Sequence, residues 1–432
     1  MILTWALGIL FATSLGLFLW QVAAGLAFPL RRKHPVAAGC SLSAVTILKP
    51  LKGRDPETRK CLESWFIQDY PQAVQLLFGV DSENDPVCHL VQELMGAYPN
   101  VSAQLIVCRS VCEYPNGKVG KLIELSRHAD HDIWVICDAD VSAPVDFLRQ
   151  TVGLLEAKSV GLIHSLYRLH CPNTAAMQWE AIGVNVDFWC QVLQARQLGP
   201  LDFALGAAMV TTRKHVAIMG GFEALGNHLA DDYHLGNLLA QRGYELILSH
   251  AVVECNEPLT SWRNVWKHQL RWARTIRCCK PVPYFFSILN NVTLWSCLLW
   301  LFARVGADSN VESLFFSTRV FGWGLELHWA SWLLIAGLGI RVSLGVVLHR
   351  RFTGRTLHPR WWGIIMVKDV FQVVLWGFAF TGNRVDWRGE IFRLGDDGRI
   401  IIPPDHSQSE KAEIKVELPS CLDDPVPPVK RP

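Results

Sequence analysis

The first thirty residues, Met1 to Leu30, carry no charged side chain, and Arg31, Arg32 and Lys33 follow at once. A helix needs about 20 apolar residues to cross a hydrocarbon layer about 30 Å thick, so this run is long enough to span. The basic residues come after the apolar run, which favours an uncleaved anchor over a secretory signal peptide. The preference of Lys and Arg for the cytoplasmic side then puts the N-terminus outside and residue 34 onward in the cytosol. Three further apolar stretches lie near 283–303, 325–348 and 361–381. Lys368 and Asp369 fall inside the last of these, where charge is costly. An anchor and three further spans would also leave the C-terminus outside, against the basic residues around Trp387-Arg388-Gly389. One stretch is therefore expected to be re-entrant or interfacial. The segment 403–432, rich in Pro, Glu, Lys and Ser, is expected to be disordered.

Between the apolar ends the pattern changes to short β-rich runs separated by helical periodicity. Val45-Thr46-Ile47-Leu48 reads as a strand closed by Pro50, and Gln75 to Val80 as a second ending at Asp81. Ala103 to Val107 reads as a third, and Ile133 to Cys137 as a fourth running into Asp138-Ala139-Asp140. Such alternation predicts an α/β domain with a parallel sheet over residues 43–280. Ligands of open α/β sheets bind beyond the carboxyl ends of the strands, so acids at several such ends point to one cleft.

Composition narrows this picture. Half of the 432 residues are hydrophobic, 19% are charged and the mean hydropathy is +0.20, high for a wholly soluble chain. A net charge of +2 gives no general attraction to nucleic acid, and that partner class is dropped. The 13 cysteines are odd in number and include no C-x-x-C pair, as expected of a reducing, cytosol-facing region without structural zinc.

Several residues then carry candidate chemistry. Asp138 and Asp140, two apart after a strand, can hold a hard divalent cation such as Mg²⁺ or Mn²⁺, which would neutralise a departing diphosphate. Asp81 and Asp85, after the second strand, can accept hydrogen bonds from a nucleotide base or ribose; the bland alternative is an Asx turn before Pro86. Asn116-Gly117-Lys118-Val119-Gly120-Lys121 offers Lys118 as a point charge for phosphate, or merely a solvated basic turn. Asp232, within His228-Leu229-Ala230-Asp231-Asp232-Tyr233-His234, is the candidate general base, although acids at a helix start are favoured in any case. His228 and His234 read as structural. From Trp266 to Arg277, Arg271, Arg274 and Arg277 share a helix face with Lys267 one turn before. That face suits lipid headgroups, or Arg271 and Trp272 can close over a diphosphate.

Together these residues resemble glycosyltransferase family 21, the ceramide glucosyltransferase family, from about residue 43 to 393. Leu48-Lys49-Pro50-Leu51-Lys52-Gly53 is similar to the family's opening strand and turn. Asp85, Asp138 and Asp232 match its three aspartates, Arg271-Trp272 matches the end of its Q-x-x-R-W element, and Trp387-Arg388-Gly389 resembles its C-terminal signature. His268 stands where the family usually has Gln or Arg. Gly220 to Leu225, Leu229 to Tyr233 and His268 to Arg277 also resemble a bacterial branch that adds N-acetylglucosamine to a bacteriohopanepolyol.

The resemblance implies a GT-A-like, Rossmann-related nucleotide-sugar domain on the cytosolic membrane face, flanked by a 1–30 anchor and 281–393 transmembrane or interfacial helices. It implies a multi-pass enzyme of a bacterial inner membrane that transfers a hexose from a UDP-sugar to a membrane lipid. Pro50, Asp81, Asp85, Lys118, Asp138 and His268 would bind the donor, Asp138 and Asp140 the metal, and Asp232, Arg271 and Trp272 would serve catalysis. A processive polysaccharide synthase shares these acids but needs a channel of several spans, and a catalytically silent membrane scaffold would keep the fold alone.

Overall fold

A computed structural model describes residues 2–30, 42–109, 114–170, 174–307, 315–320, 323–387 and 389–401, with backbone alone at 306–307, 315–320 and 323–328. Arg31, Arg32, Lys33, Arg388 and the 403–432 tail lie outside the described residues. The chain divides into two compact units. One takes the described residues of Arg31–Tyr167, Pro200–Pro258 and Arg399–Pro432; the other takes Met1–Leu30, Arg168–Gly199 and Leu259–Gly398. The stretch 43–280, expected as one α/β domain, is shared between the two units. Residues 168–199 and 259–280 go with the helical unit, where Trp179, Ile182 and Val265 share a core with Ile364 and Ile365.

The first unit is built on an eight-stranded sheet. Its strands are β1 (Val45–Pro50), β2 (Val74–Val80), β3 (Ser102–Val107), β4 (Ile133–Cys137), β5 (Val141–Ser142), β6 (Val160–Leu169), β7 (Ala208–Thr212) and β8 (Glu245–Cys255). Their order across the sheet is β3-β2-β1-β4-β7-β6-β8-β5. β2 pairs in parallel with β3 and with β1, and β1 with β4, so the four strands expected from sequence form the parallel half. β7 pairs antiparallel with β4 and with β6, and β5 with β8. The sheet is thus mixed and parallel-rich, within the α/β class expected from the sequence. The apolar runs of β1 and β4 are buried on both faces, as a sheet covered on two sides requires. Because the four strands are parallel, Pro50, Val80 and Cys137 all end at one edge, and Asp81 and Asp138 begin there.

The second unit is mostly helical. Among the described residues three helices are long and apolar enough to cross a bilayer: Ile2–Ala27, Trp329–Thr353 and Pro359–Ala379. The stretch near 283–303 is two helices, Pro281–Asn290 and Val292–Val305, bent by 59° at one residue. The stretch near 325–348 starts later than its hydropathy suggests, since Trp323–His328 is a strand.

The charges inside these apolar helices are paired. Arg341 donates from Nη2 to Asp187 Oδ2 at 2.9 Å and from Nε to Asp369 Oδ2 at 2.9 Å. Lys368 pairs with Asp187 and, at 3.4 Å, with Asp369, and Thr293 donates to Asp369 at 2.6 Å. Asp187 lies in a widened π turn, Gly183–Phe188. Two cations and two carboxylates sum to no net charge, which makes Lys368 and Asp369 tolerable mid-helix.

Candidate active site

The acids of the sheet unit gather around one lysine. Lys118 Nζ lies 2.8 Å from Asp138 Oδ1 and 2.9 Å from Asp231 Oδ2. Asp138 follows β4, whereas Asp231 opens the helix Asp231–Gln241. Lys118 is in the first turn of the helix Gly117–Arg127, not in a solvated turn. Its position is set by Asn116, which caps that helix by accepting from the backbone N–H groups of Lys118 and Val119. The same Asn116 side chain donates to His228 O at 2.8 Å, tying the cap to the segment that delivers Asp231 and Asp232. Burial works against the ammonium, but Asp138, Asp231 and Asp232 outweigh it and hold Lys118 well above the usual lysine range.

Asp232 sits beside this cluster. Burial, with Asp231 adding repulsion and Lys118 opposing, pushes its carboxyl up from 3.8 to about 6. Its wall is the backbone at Gly206, one residue before Ala207, whose carbonyl accepts the Asp138 N–H at 3.2 Å. His164, buried on β6, accepts the Leu205 N–H at 3.1 Å and so fixes this wall from behind. Burial lowers that imidazole to about 3, so it stays neutral. Asp138 and Asp232 therefore meet at one place, from strand ends and a helix start far apart in sequence.

The turn that carries Asp138 and Asp140 is held by its backbone. Lys49 Nζ donates to Asp138 O at 2.6 Å, Cys61 Sγ to Asp140 O at 3.1 Å, and Trp65 Nε1 to Val141 O at 3.0 Å. Asn256 N–H adds a bond to Asp140 O at 2.9 Å. With the carbonyls engaged, hard carboxylate oxygens are what the turn can offer a ligand. The Asp138 side chain is 36% exposed although its neighbours Lys118 and Asp231 are nearly buried, so it remains reachable. This donor set fits Mg²⁺ or Mn²⁺.

Other candidates are placed differently. Asp85 is committed to backbone: it accepts from Gly53 N at 2.9 Å and from Val87 N at 2.9 Å, holding the loop after β1, where Gly53 has φ +75°. The bland turn reading accounts for these bonds, and Asp85 reaches a ligand only through the loop it shapes or its remaining acceptor capacity. Asp81 pairs with Lys121, a buried lysine one turn beyond Lys118. Pro50 is buried at the end of β1.

In the helical unit, His268, Arg271 and Trp272 lie on the helix Trp262–Cys279. His268 Nδ1 is 2.7 Å from Oε1 of Glu180, a buried carboxylate that also accepts from Gln269 at 2.8 Å. The Trp272 ring meets the His268 ring edge-on at 4.6 Å. The basic face is not left for headgroups alone. Lys267 pairs with Asp386 at 2.6 Å, Arg274 donates to Arg384 O and Arg277 to Asn383, all in or beside the hairpin Arg384–Leu394.

Lys49, Asn116, Asp231, Gly206 and Glu180 escaped the reading of the sequence. Of these Asn116 and Asp231 bore local signals, an N-cap residue type ahead of a helix-forming run and an acid at a helix start.

Curated relatives match over parts of their length. The chain is 40% identical over 118 residues to a ceramide glucosyltransferase of Candida albicans, covering 25% of this chain and 22% of that one. It is 26% identical over 252 residues to ceramide glucosyltransferase 3 of Caenorhabditis elegans, covering 56% and 53%. A beta-monoglucosyldiacylglycerol synthase of Trichormus variabilis is 24% identical over 277 residues, covering 62% and 56%. The chain thus spans from about a fifth to about half of the length of these relatives. Among solved structures it is similar to a mannosyltransferase from Pyrobaculum calidifontis in complex with GDP-Man and Mn²⁺, at 19% identity and a TM-score of 0.47, over 85% of this chain and 98% of that one. The profile of Glycosyl transferase family 21 matches residues 3–400, and the chain belongs to that family.

Proposed function

We propose that this chain is an inverting hexosyltransferase that moves glucose from UDP-glucose to the hydroxyl of ceramide, or of a similar membrane lipid, at a cytosolic membrane face. The observation that carries this reading is the meeting of Asp138, Asp232 and Lys118 at the carboxyl edge of the sheet. Asp232 Oδ accepts the proton of the lipid hydroxyl as the hydroxyl oxygen attacks the anomeric carbon in line with the departing UDP, inverting that centre. A raised pKa keeps this carboxylate basic enough to take a proton near neutrality. Asp138 and Asp140 would hold Mg²⁺ or Mn²⁺, which supplies Lewis-acid neutralisation of the diphosphate. Lys118 keeps Asp138 and Asp231 close while Arg271, Trp272 and His268 serve the leaving diphosphate, and Pro50, Asp81 and Asp85 shape the nucleoside end. The relatives named for ceramide and diacylglycerol products support a lipid acceptor, and the apolar helices support a multi-pass protein, which we place in a bacterial inner membrane.

The test is Asp232→Asn with radiolabelled UDP-glucose. UDP binding should persist and transfer should vanish; turnover above a few per cent of wild type removes Asp232 from the base role. EDTA should abolish transfer by the wild type, and added Mn²⁺ or Mg²⁺ should restore it.

A second reading, N-acetylglucosamine transfer to bacteriohopanetetrol, is favoured by the likeness of Gly220 to Leu225, Leu229 to Tyr233 and His268 to Arg277 to the bacterial branch. Mass spectrometry of lipids from a host expressing the chain, supplied with ceramide or a hopanoid polyol, separates the two.

A further inference from the structure

Among the buried cations that the mechanism does not use, Lys49 lies beneath the candidate metal ligands. Lys49 is 1% exposed, on the central strand β1, beneath the turn that follows β4. Its Nζ donates to Asp138 O at 2.6 Å and to Val141 O at 3.3 Å, with Cys137 Sγ at 3.6 Å. The Trp65 ring centroid lies 5.4 Å away. All three polar partners belong to Cys137–Val141, the segment that carries both candidate metal ligands.

A lysine ammonium has three donors and no acceptor, and burying it is tolerable only if those donors are met. Here they are met by one five-residue segment, so the lysine and the turn specify each other. The carbonyls of Asp138 and Val141 are drawn inward toward Nζ. A solvated lysine would be expected to have its charge in water and only its stem covered. Lys49 has both stem and charge covered.

We propose that Lys49 is a positioning residue for divalent-cation binding: its buried ammonium sets the Asp138–Val141 turn so that Asp138 and Asp140 can share one ion. This rests on the metal reading above. It makes the strand-borne lysine a determinant of metal affinity, although it touches neither the ion nor the sugar nucleotide. Met has a stem of similar length and no donor, so it would fill the space and leave Asp138 O without its shortest bond.

The test uses the full chain in detergent. Free Mn²⁺ is followed by its electron paramagnetic resonance signal, and UDP binding is measured separately in EDTA. Lys49→Met should weaken Mn²⁺ binding by about tenfold or more, in line with the loss of an outer-shell partner. Its metal-free UDP binding should stay within about twofold of wild type, a split that a general loss of structure would not produce. Lys49→Gln keeps one donor without the charge and should fall between, and it serves as the probe if Lys49→Met does not fold. Unchanged Mn²⁺ affinity in the folded variant overturns the role of Lys49. Loss of UDP and Mn²⁺ binding in equal measure overturns it too, because the lysine is then only part of the core. A wild type that binds no Mn²⁺ overturns the metal reading itself, and the assignment of Lys49 falls with it.

Discussion

Gly206 faces Asp232 with no room between them: a Cβ built on the glycine would lie 2.6 Å from Asp232 Oδ2 and 2.9 Å from its Cβ. No side chain fits there unless the carboxylate moves. Gly206→Ala should therefore displace the proposed base by a fraction of its own width. A misplacement near 1 Å can cost about 10²-fold in rate, and a loss of that order in turnover is expected, with UDP binding retained. Turnover equal to wild type would show that the position of this carboxylate is not critical.

Asp232 should also destabilise the fold near neutrality. Its folded pKa, about 6, lies above the ordinary 3.8. Between those values the folded chain binds more protons than the unfolded one, so stability falls as pH rises from about 4 to about 6. Asp232→Asn removes the titrating group. In metal-free protein the variant should melt above wild type at about pH 7, and the gap should close below about pH 4. A variant that melts lower at neutral pH would contradict the electrostatics described for this cluster.

Lys118 is the only cation in contact with both Asp138 and Asp231 among the ion pairs described. Lys118→Met leaves those carboxylates facing each other in a partly buried place, and with Asp138 36% exposed the cost should fall below about 3–5 kcal/mol, the cost for a fully buried pair. A second change, Asp231→Asn, should return a large part of the lost melting temperature. Thermal unfolding of the single and double variants measures both effects, and a null result for the single variant refutes the pairing.

The Arg341–Asp369 pair allows a cleaner version of that experiment, because both side chains are about 95% buried. Arg341→Met alone should be strongly destabilising, by about 3–5 kcal/mol. Arg341→Met with Asp369→Leu should recover much of that, although Asp187 keeps only Lys368 as its cation. Melting curves in one detergent compare the three chains. Equal destabilisation by the single and the double change would mean that packing, not charge balance, sets the effect.

The parallel half of the sheet was legible because its strands are continuous apolar runs ended by Pro50, Asp81 and Asp138, a signal local enough to read directly. The antiparallel strands β5 to β8 have no such punctuation, and they escaped notice. The same distinction governs the site. Asp138 and Asp232 announced themselves by residue type and position, whereas Lys49 sits in an apolar strand where its one polar atom finds partners 88 to 92 residues away. Asp85 shows the opposite case, a motif residue whose carboxylate also serves the backbone at Gly53 and Val87. Lys368 and Asp369 looked misplaced because Asp187 and Arg341, which balance them, come from other helices.

That balance has a consequence for how the polypeptide is made. Asp187 is synthesised long before Arg341, and Lys368 and Asp369 follow only near the end, with 181 positions separating the first carboxylate from the last lysine. Until Lys368 and Asp369 are made, Arg341 has Asp187 alone as its carboxylate partner in this network. Chains truncated ahead of Lys368 should therefore be recognised by quality-control proteases even though all eight strands of the large sheet have already been made.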